Sequence, residues 1–118
     1  MKAARRGPTG SPNGKLYQKG NLSMVAYAIV QADVTDAEKF GKYAELAGVA
    51  VAKFDAKFIV RGGETIVTEG KSRTRTTVVE FADLETAKAY YHSPEYEAAR
   101  AVLGDAAIRD YKLVDGLG

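Results

Sequence analysis

The sequence predicts an α+β domain with elements in the order βαββαβ, and three observations carry that reading. Runs rich in strand formers, with side chains alternating between two faces, recur near residues 25–34, 58–61, 76–81 and 108–114. Apolar residues spaced three and four apart occupy two long intervals, 37–54 and 84–103. Polar or glycine-bearing turn signals separate the runs.

In the first run Val25, Tyr27 and Ile29 fall on one face, and Ala26, Ala28, Val30, Ala32 and Val34 on the other. Both faces are apolar, so both require cover. Thr35 with Glu38 three residues on reads as a capping box that opens a helix. The apolar stripe of that helix is Ala37, Phe40, Ala44, Ala47, Val51 and Phe54, the pattern of a helix lying on a sheet. Gly41 and Gly48 cost it up to about 1 kcal/mol each against alanine, and are expected to let it approach a neighbour closely.

Residues 58–61 read as the second strand, stopped or bulged at Gly62-Gly63; residues 65–68 continue the extended chain, and Glu69-Gly70 turns it. In the third strand, 76–81, Thr77, Val79 and Phe81 share a face opposite Val78 and Glu80. Asp83 caps a second helix carrying Leu84, Ala87 and Tyr91. Ser93-Pro94 then re-caps a further stretch with Tyr96, Ala99 and Leu103, so a kink or break falls between them. Gly104 ends that stretch, and 108–114 supplies the last strand with Tyr111 and Leu113 on one face.

This order is the split βαβ, or ferredoxin-like, arrangement: a four-stranded antiparallel sheet with two helices on one face. The opposite face is expected to carry the second apolar side of the first strand, together with bulky residues such as Phe58, Val79 or Tyr111. Such a surface has to be hidden from water. Its simplest cover is the same face of a second copy about a twofold axis, so a homodimer is expected.

Composition narrows the function classes. At 118 residues the chain suits one domain, placed at 24–118. Without cysteine it has no disulfide, thiolate ligand or cysteine nucleophile, which suits the cytoplasm. No run approaches the ~18 apolar residues of a membrane span, so no membrane partner is expected. The net charge of +2 hides a division: residues 1–23 hold Lys2, Arg5, Arg6, Lys15 and Lys19 without an acid, leaving 12 basic against 15 acidic residues in the remainder. That glycine- and proline-rich leader reads as disordered or as extraneous N-terminal sequence ahead of Met24. Five dispersed charges without interleaved aromatics do not make a nucleic-acid arm.

Phe58-Ile59-Val60-Arg61-Gly62-Gly63, Glu69-Gly70, Arg75 leading to Val78-Val79-Glu80-Phe81, then Ala87, Tyr91 and Ser93-Pro94-Glu95-Tyr96 form a distributed pattern. It resembles the domain of unknown function 1330 family over essentially all of residues 24–116. The resemblance implies the dimeric α/β-barrel fold, and Asp55-Ala56 departs from it where a glycine is common.

Candidate chemistry is sparse. His92 is the single histidine, which excludes a two-histidine mechanism; it is a candidate general base or axial haem ligand, against the reading of a surface helix end bonding the last carbonyls. Arg61 and Arg75, beside the paired glycines and expected to face Glu80, are candidates to hold a small carboxylate or enolate, or else to form an internal Arg–Glu pair. Tyr27, Tyr43, Tyr91 and Tyr96 are candidates to line a cleft between sheet and helices, against plain core packing. Gly62-Gly63 lacks a nucleotide fingerprint, and the acids near strand ends lack metal-ligand spacing, so neither cofactor nor metal is expected. Two functions remain: a cofactor-independent enzyme on a small polar or aromatic metabolite, with Arg61, Arg75 and Glu80 polarising it, Tyr27 contributing to the ligand site, and His92 or Tyr96 moving a proton; or a non-catalytic dimeric metabolite-binding or structural module.

Overall fold

The computed structural model describes residues 24–117, so the leader assigned to 1–23 lies outside the described residues. The elements are β1 (Ala26–Val34), α1 (Ala37–Lys53), β2 (Lys57–Arg61), β3 (Arg75–Phe81), α2 (Leu84–Tyr91), α3 (Pro94–Leu103) and β4 (Ala107–Asp115). They form one antiparallel sheet in the order β2-β3-β1-β4. This is the ferredoxin-like arrangement, with the second helical region broken in two at Ser93.

The break follows from local chemistry. Ser93 Oγ donates to Tyr90 O at 2.7 Å, ending α2, and accepts from Tyr96 N at 3.1 Å, opening α3. Pro94 at the first turn has no N–H to lose there. Asp83 caps α2 by accepting from Thr86 N at 2.7 Å. At α1 the cap is Asp36 rather than Thr35: Asp36 Oδ1 accepts from Lys39 N at 3.1 Å. The Thr35 hydroxyl is engaged elsewhere, donating to Asp105 O at 3.1 Å, and its N–H bonds Ala106 O, so it ties the end of β1 to the turn before β4.

The C-terminus of α1 closes with Asp55 N bonding Ala52 O and Ala56 N bonding Val51 O. This pair of bonds places Asp55 in the left-handed region at φ 53°, a conformation glycine adopts without cost. Residues 65–68 do not extend β2; among the described residues, 62–74 form an irregular connection. Its far end is clamped by Arg73, which bonds Asp33 at 2.9 Å and Asp110 at 2.8 Å, while Thr74 N bonds Asp33 at 2.9 Å.

Register decides which residues face the helices. Ala28 pairs with Val79 and Leu113, Val30 with Thr77 and Tyr111, and Ala32 with Arg75 and Arg109. Paired residues share a face, so this set lies beneath the helices. The core joins Ala28, Val79 and Phe81 to Ala47, Ala50 and Val51 of α1, Ala87 and Tyr90 of α2, and Tyr96 and Ala99 of α3. Burying Phe81 alone contributes about 1.5–3 kcal/mol. Small residues on β1 let the helices sit close, and the aromatics fill the remaining volume.

The same register corrects the expectation for the opposite face. Phe58, Val79 and Tyr111 all lie on the helix side, where Val79 is buried and the other two pack against the core. The opposite face instead presents Tyr27 and Ile29 of β1, Val78 of β3, and the more exposed Val60, Ile108 and Val114. Toward one end it turns polar, with Gln31 opposite Asp110 and Thr76. Among the described residues no helix covers it.

Candidate functional site

A cavity of about 40 Å³ lies between the sheet and α1, against the ~10–15 Å³ that one water needs. It forms where β1 ends and where the aligned ends of the other strands supply polar side chains. Arg61 is the last residue of β2, Arg75 the first of β3, and Arg109 the third of β4. All three line the cavity together with aromatic groups from the helices, among them Phe40, Tyr43 and Tyr96.

Each guanidinium rests on an aromatic ring. Arg61 lies 4.0 Å from the Phe58 centroid, Arg75 5.1 Å from that of Phe40, and Arg109 5.3 Å from those of Tyr43 and Tyr111. Arg61 is also tied to α1, donating to Ala44 O at 2.9 Å across the groove left by Gly48, where an added Cβ would stand 3.5 Å from Arg61 Nη2. A Cβ at Gly48 would thus make only ordinary contact, and Gly41 has nothing within 4 Å among the described residues, so neither glycine is required by a close approach. Arg75 lies against Gly62, whose missing Cβ would fall 2.5 Å from Arg75 Nη1, and its Nε is buried without a hydrogen-bond partner. Among the described residues no carboxylate or imidazole lines the cavity, and none of the three arginines is in a salt bridge.

At the inner end Tyr43 and Tyr96 share a hydrogen bond of 2.6 Å, and Arg109 Nη1 donates to both phenol oxygens at 3.0 Å. Burial pushes the Tyr43 phenol well above its ordinary range; Tyr96 adds to that push and Arg109 opposes it. Burial likewise raises Tyr90 and Tyr111. Burial of Arg109 works against its charge, but the Tyr96 and Tyr43 oxygens outweigh it and leave the guanidinium above its ordinary value. The inner end is thus a cation beside a protonated Tyr43 phenol, and it can donate a hydrogen bond to an oxyanion.

The residues singled out in the sequence divide into three places. Arg61, Arg75 and Tyr96 meet at the cavity. Glu80 and Tyr27 pair across β3 and β1 on the other face, with the Tyr27 hydroxyl 3.5 Å from Glu80 and Lys57 at 3.4 Å from it. Arg75 and Glu80 are five residues apart in one strand, so the alternation of side chains sends them to opposite sides and Arg75 does not face Glu80. His92 caps the end of α2, exposed, with its ring 5.2 Å from that of Tyr91. Of the four tyrosines proposed for a cleft, Tyr43 and Tyr96 line it; Tyr91 packs on the core beneath Arg100.

Arg109 is the functional residue the sequence reading did not pick out. It stands two positions before Tyr111, whose face had been identified, so strand alternation alone puts both on one side.

The comparison with curated proteins returns no match. Among solved structures, a protein of unknown function from Rhodopseudomonas palustris superposes with a TM-score of 0.66 at 12% identity, over 84% of this chain and 87% of that one. A dimeric ferredoxin-like protein of unknown function from Thermobifida fusca gives 0.57 at 12%, over 85% and 100%. SnoaB, a cofactor-independent oxygenase from Streptomyces nogalater, gives 0.53 at 8%, over 81% and 96%. At these identities the likeness is one of fold. The model of the domain of unknown function DUF1330 matches residues 25–117, nearly the whole of the described chain, and the protein belongs to that family.

Proposed function

We propose that this protein takes a small organic acid into the cavity under α1 and acts as a cofactor-independent enzyme on it, stabilising an enolate or phenolate form. The observation that supports the reading is the convergence of Arg61, Arg75 and Arg109 on a wall that, among the described residues, holds no carboxylate. Arg61 is exposed and Arg75 and Arg109 are partly buried, so three positive charges gather around the cavity with no counter-ion among the described wall residues, and an anionic ligand complements them. An arginine fork matches a carboxylate with two parallel hydrogen bonds. The hydrogen-bonded Tyr43–Tyr96 pair, backed by Arg109, has one hydroxyl hydrogen left to donate where an oxyanion develops.

Glu80, Tyr27 and His92 take no part in this site. With neither imidazole nor carboxylate among the described wall residues, a proton lost from the ligand passes to water, and Tyr96 donates a hydrogen bond to the oxyanion that remains. SnoaB is a precedent for cofactor-independent chemistry on this fold, although a fold carries no reaction with it. The absence of a base among the described wall residues favours the second reading, a metabolite-binding module without turnover. Both readings include a homodimer through the open sheet face, where Tyr27, Ile29 and Val78 are left without a helix.

Calorimetric titration of the protein with benzoate is expected to saturate, and Arg75→Gln is expected to weaken binding about tenfold, the size of one lost charged hydrogen bond. If benzoate, phenylacetate and pyruvate all fail to saturate the parent protein at millimolar concentration, the reading is wrong.

A further inference from the structure

Resting on that anion-binding reading, the sheet also defines the shape of the acid. Ala32 of β1 pairs with Arg75 on one side and with Arg109 on the other, so the three stand in one row across the sheet. Neighbouring strands lie about 4.8 Å apart, which sets the two arginine backbones roughly 10 Å from each other. Between them the floor ends at a single methyl group. The next row, Thr77, Val30 and Tyr111, is filled by larger side chains. The result is a slot with a cation at each end and its lowest point at Ala32; its volume of about 40 Å³ is less than the ~150 Å³ of a cavity that holds benzene, so an aromatic acid lies partly outside it.

The two ends differ chemically. At the Arg75 end the guanidinium lies over Phe40, is packed against Gly62, and keeps a buried Nε with no partner. Its fork is uncommitted and suited to a carboxylate. At the Arg109 end two phenols have two hydrogens between them, and one is spent on the bond of 2.6 Å that joins Tyr43 to Tyr96. Both oxygens already accept from Arg109 Nη1. One phenolic hydrogen is left over, beside a positive charge. A single neutral donor beside a cation suits a phenol, enol or ketone oxygen, which needs one or two hydrogen bonds; a second carboxylate would need more.

We propose that the ligand is a flat hydroxy or keto acid whose carboxylate and second oxygen sit at opposite ends, the carboxylate on Arg75, the second oxygen on the Tyr43–Tyr96–Arg109 trio, and the hydrocarbon over Ala32. Arg109 and the tyrosine pair then select among acids, while Arg75 binds acids in general.

The test is calorimetry with benzoate, 4-hydroxybenzoate and 2-hydroxybenzoate on the parent protein and on the Tyr43→Phe/Tyr96→Phe double variant. On the parent, 4-hydroxybenzoate is expected to bind about tenfold tighter than benzoate and than the 2-isomer, whose two oxygens lie at one end. In the double variant the ratio of 4-hydroxybenzoate to benzoate affinity is expected to fall to about one. Equal binding of benzoate and 4-hydroxybenzoate by the parent would overturn the two-ended ligand and leave the anion site standing. Failure of the parent to bind any of the three would remove both. The parent comparison involves no substitution, so it decides the matter even if the double variant does not fold. A folded double variant that keeps the full preference would also overturn the assignment.

Discussion

Gly62 shows how far one missing methyl group controls the cavity. Its φ of 76° and its contact with Arg75 are separate demands, and Gly63, at φ 98° with nothing within 4 Å, meets only the first. Alanine at either position strains the backbone by about 1 kcal/mol. Only Gly62→Ala drives a Cβ into the Arg75 guanidinium. Both variants are therefore expected to melt slightly lower, but benzoate affinity should fall about tenfold in Gly62→Ala alone, read by calorimetry. Paired glycines in the sequence announced a turn or bulge, and that much was legible. What they make room for was not, because Arg75 arrives from across a connection whose course no local pattern fixes. Asp55 is the converse case: a residue other than glycine holds a left-handed position, at φ 53°, that closes α1.

At the scale of elements, strands and helices were readable because their periods are imposed by the backbone itself. Thr77, Val79 and Phe81 fall on one side of β3 as alternation requires, and Asp83 and Ser93 cap the helices that their positions announced. Thr35 misled because two adjacent residues, Thr35 and Asp36, both suit a cap. The choice between them depends on Asp105, seventy residues away. Pairing register was the larger loss. Assigning Phe58, Val79 and Tyr111 to the open face needed only a shift of one residue, which inverts a strand. The Asp83 cap yields a measurable pH dependence. Hydrogen bonds from Thr86 hold its carboxyl below the ordinary 3.8. Its contribution is complete above that value and is lost as pH falls through the depressed folded value. Asp83→Ala is expected to cost about 1 kcal/mol at pH 7. The cost should shrink in melts run below pH 3.

For the whole molecule, the sheet has one face under helices and one without, and the open face mixes Ile29, Val78 and Tyr27 with charged residues toward its edges. Sedimentation at micromolar concentration is expected to show a dimer, and Ile29→Glu a monomer, since an unpaired carboxylate at the centre of an apolar contact is not tolerated. Acid binding should survive in that variant within about twofold, because Ile29 and the cavity lie on opposite sides of the sheet. A well-folded parent monomer would refute the pairing. Composition and element order predicted a partner, whereas the cavity was half visible: Arg61, Arg75, Tyr43 and Tyr96 were among the candidates and line it, Glu80 and His92 lie elsewhere, and Arg109 was not picked out.

The alternation of side chains along β1 has a consequence for how such a molecule can diversify. Even-numbered positions, Ala28 through Ala32, meet the core and the cavity, while odd-numbered ones, Tyr27 through Asp33, meet whatever adjoins the outer surface. One nine-residue segment thus holds two interleaved records that selection can rewrite separately. A lineage can acquire a new substrate without renegotiating its assembly, or change its assembly while keeping its substrate.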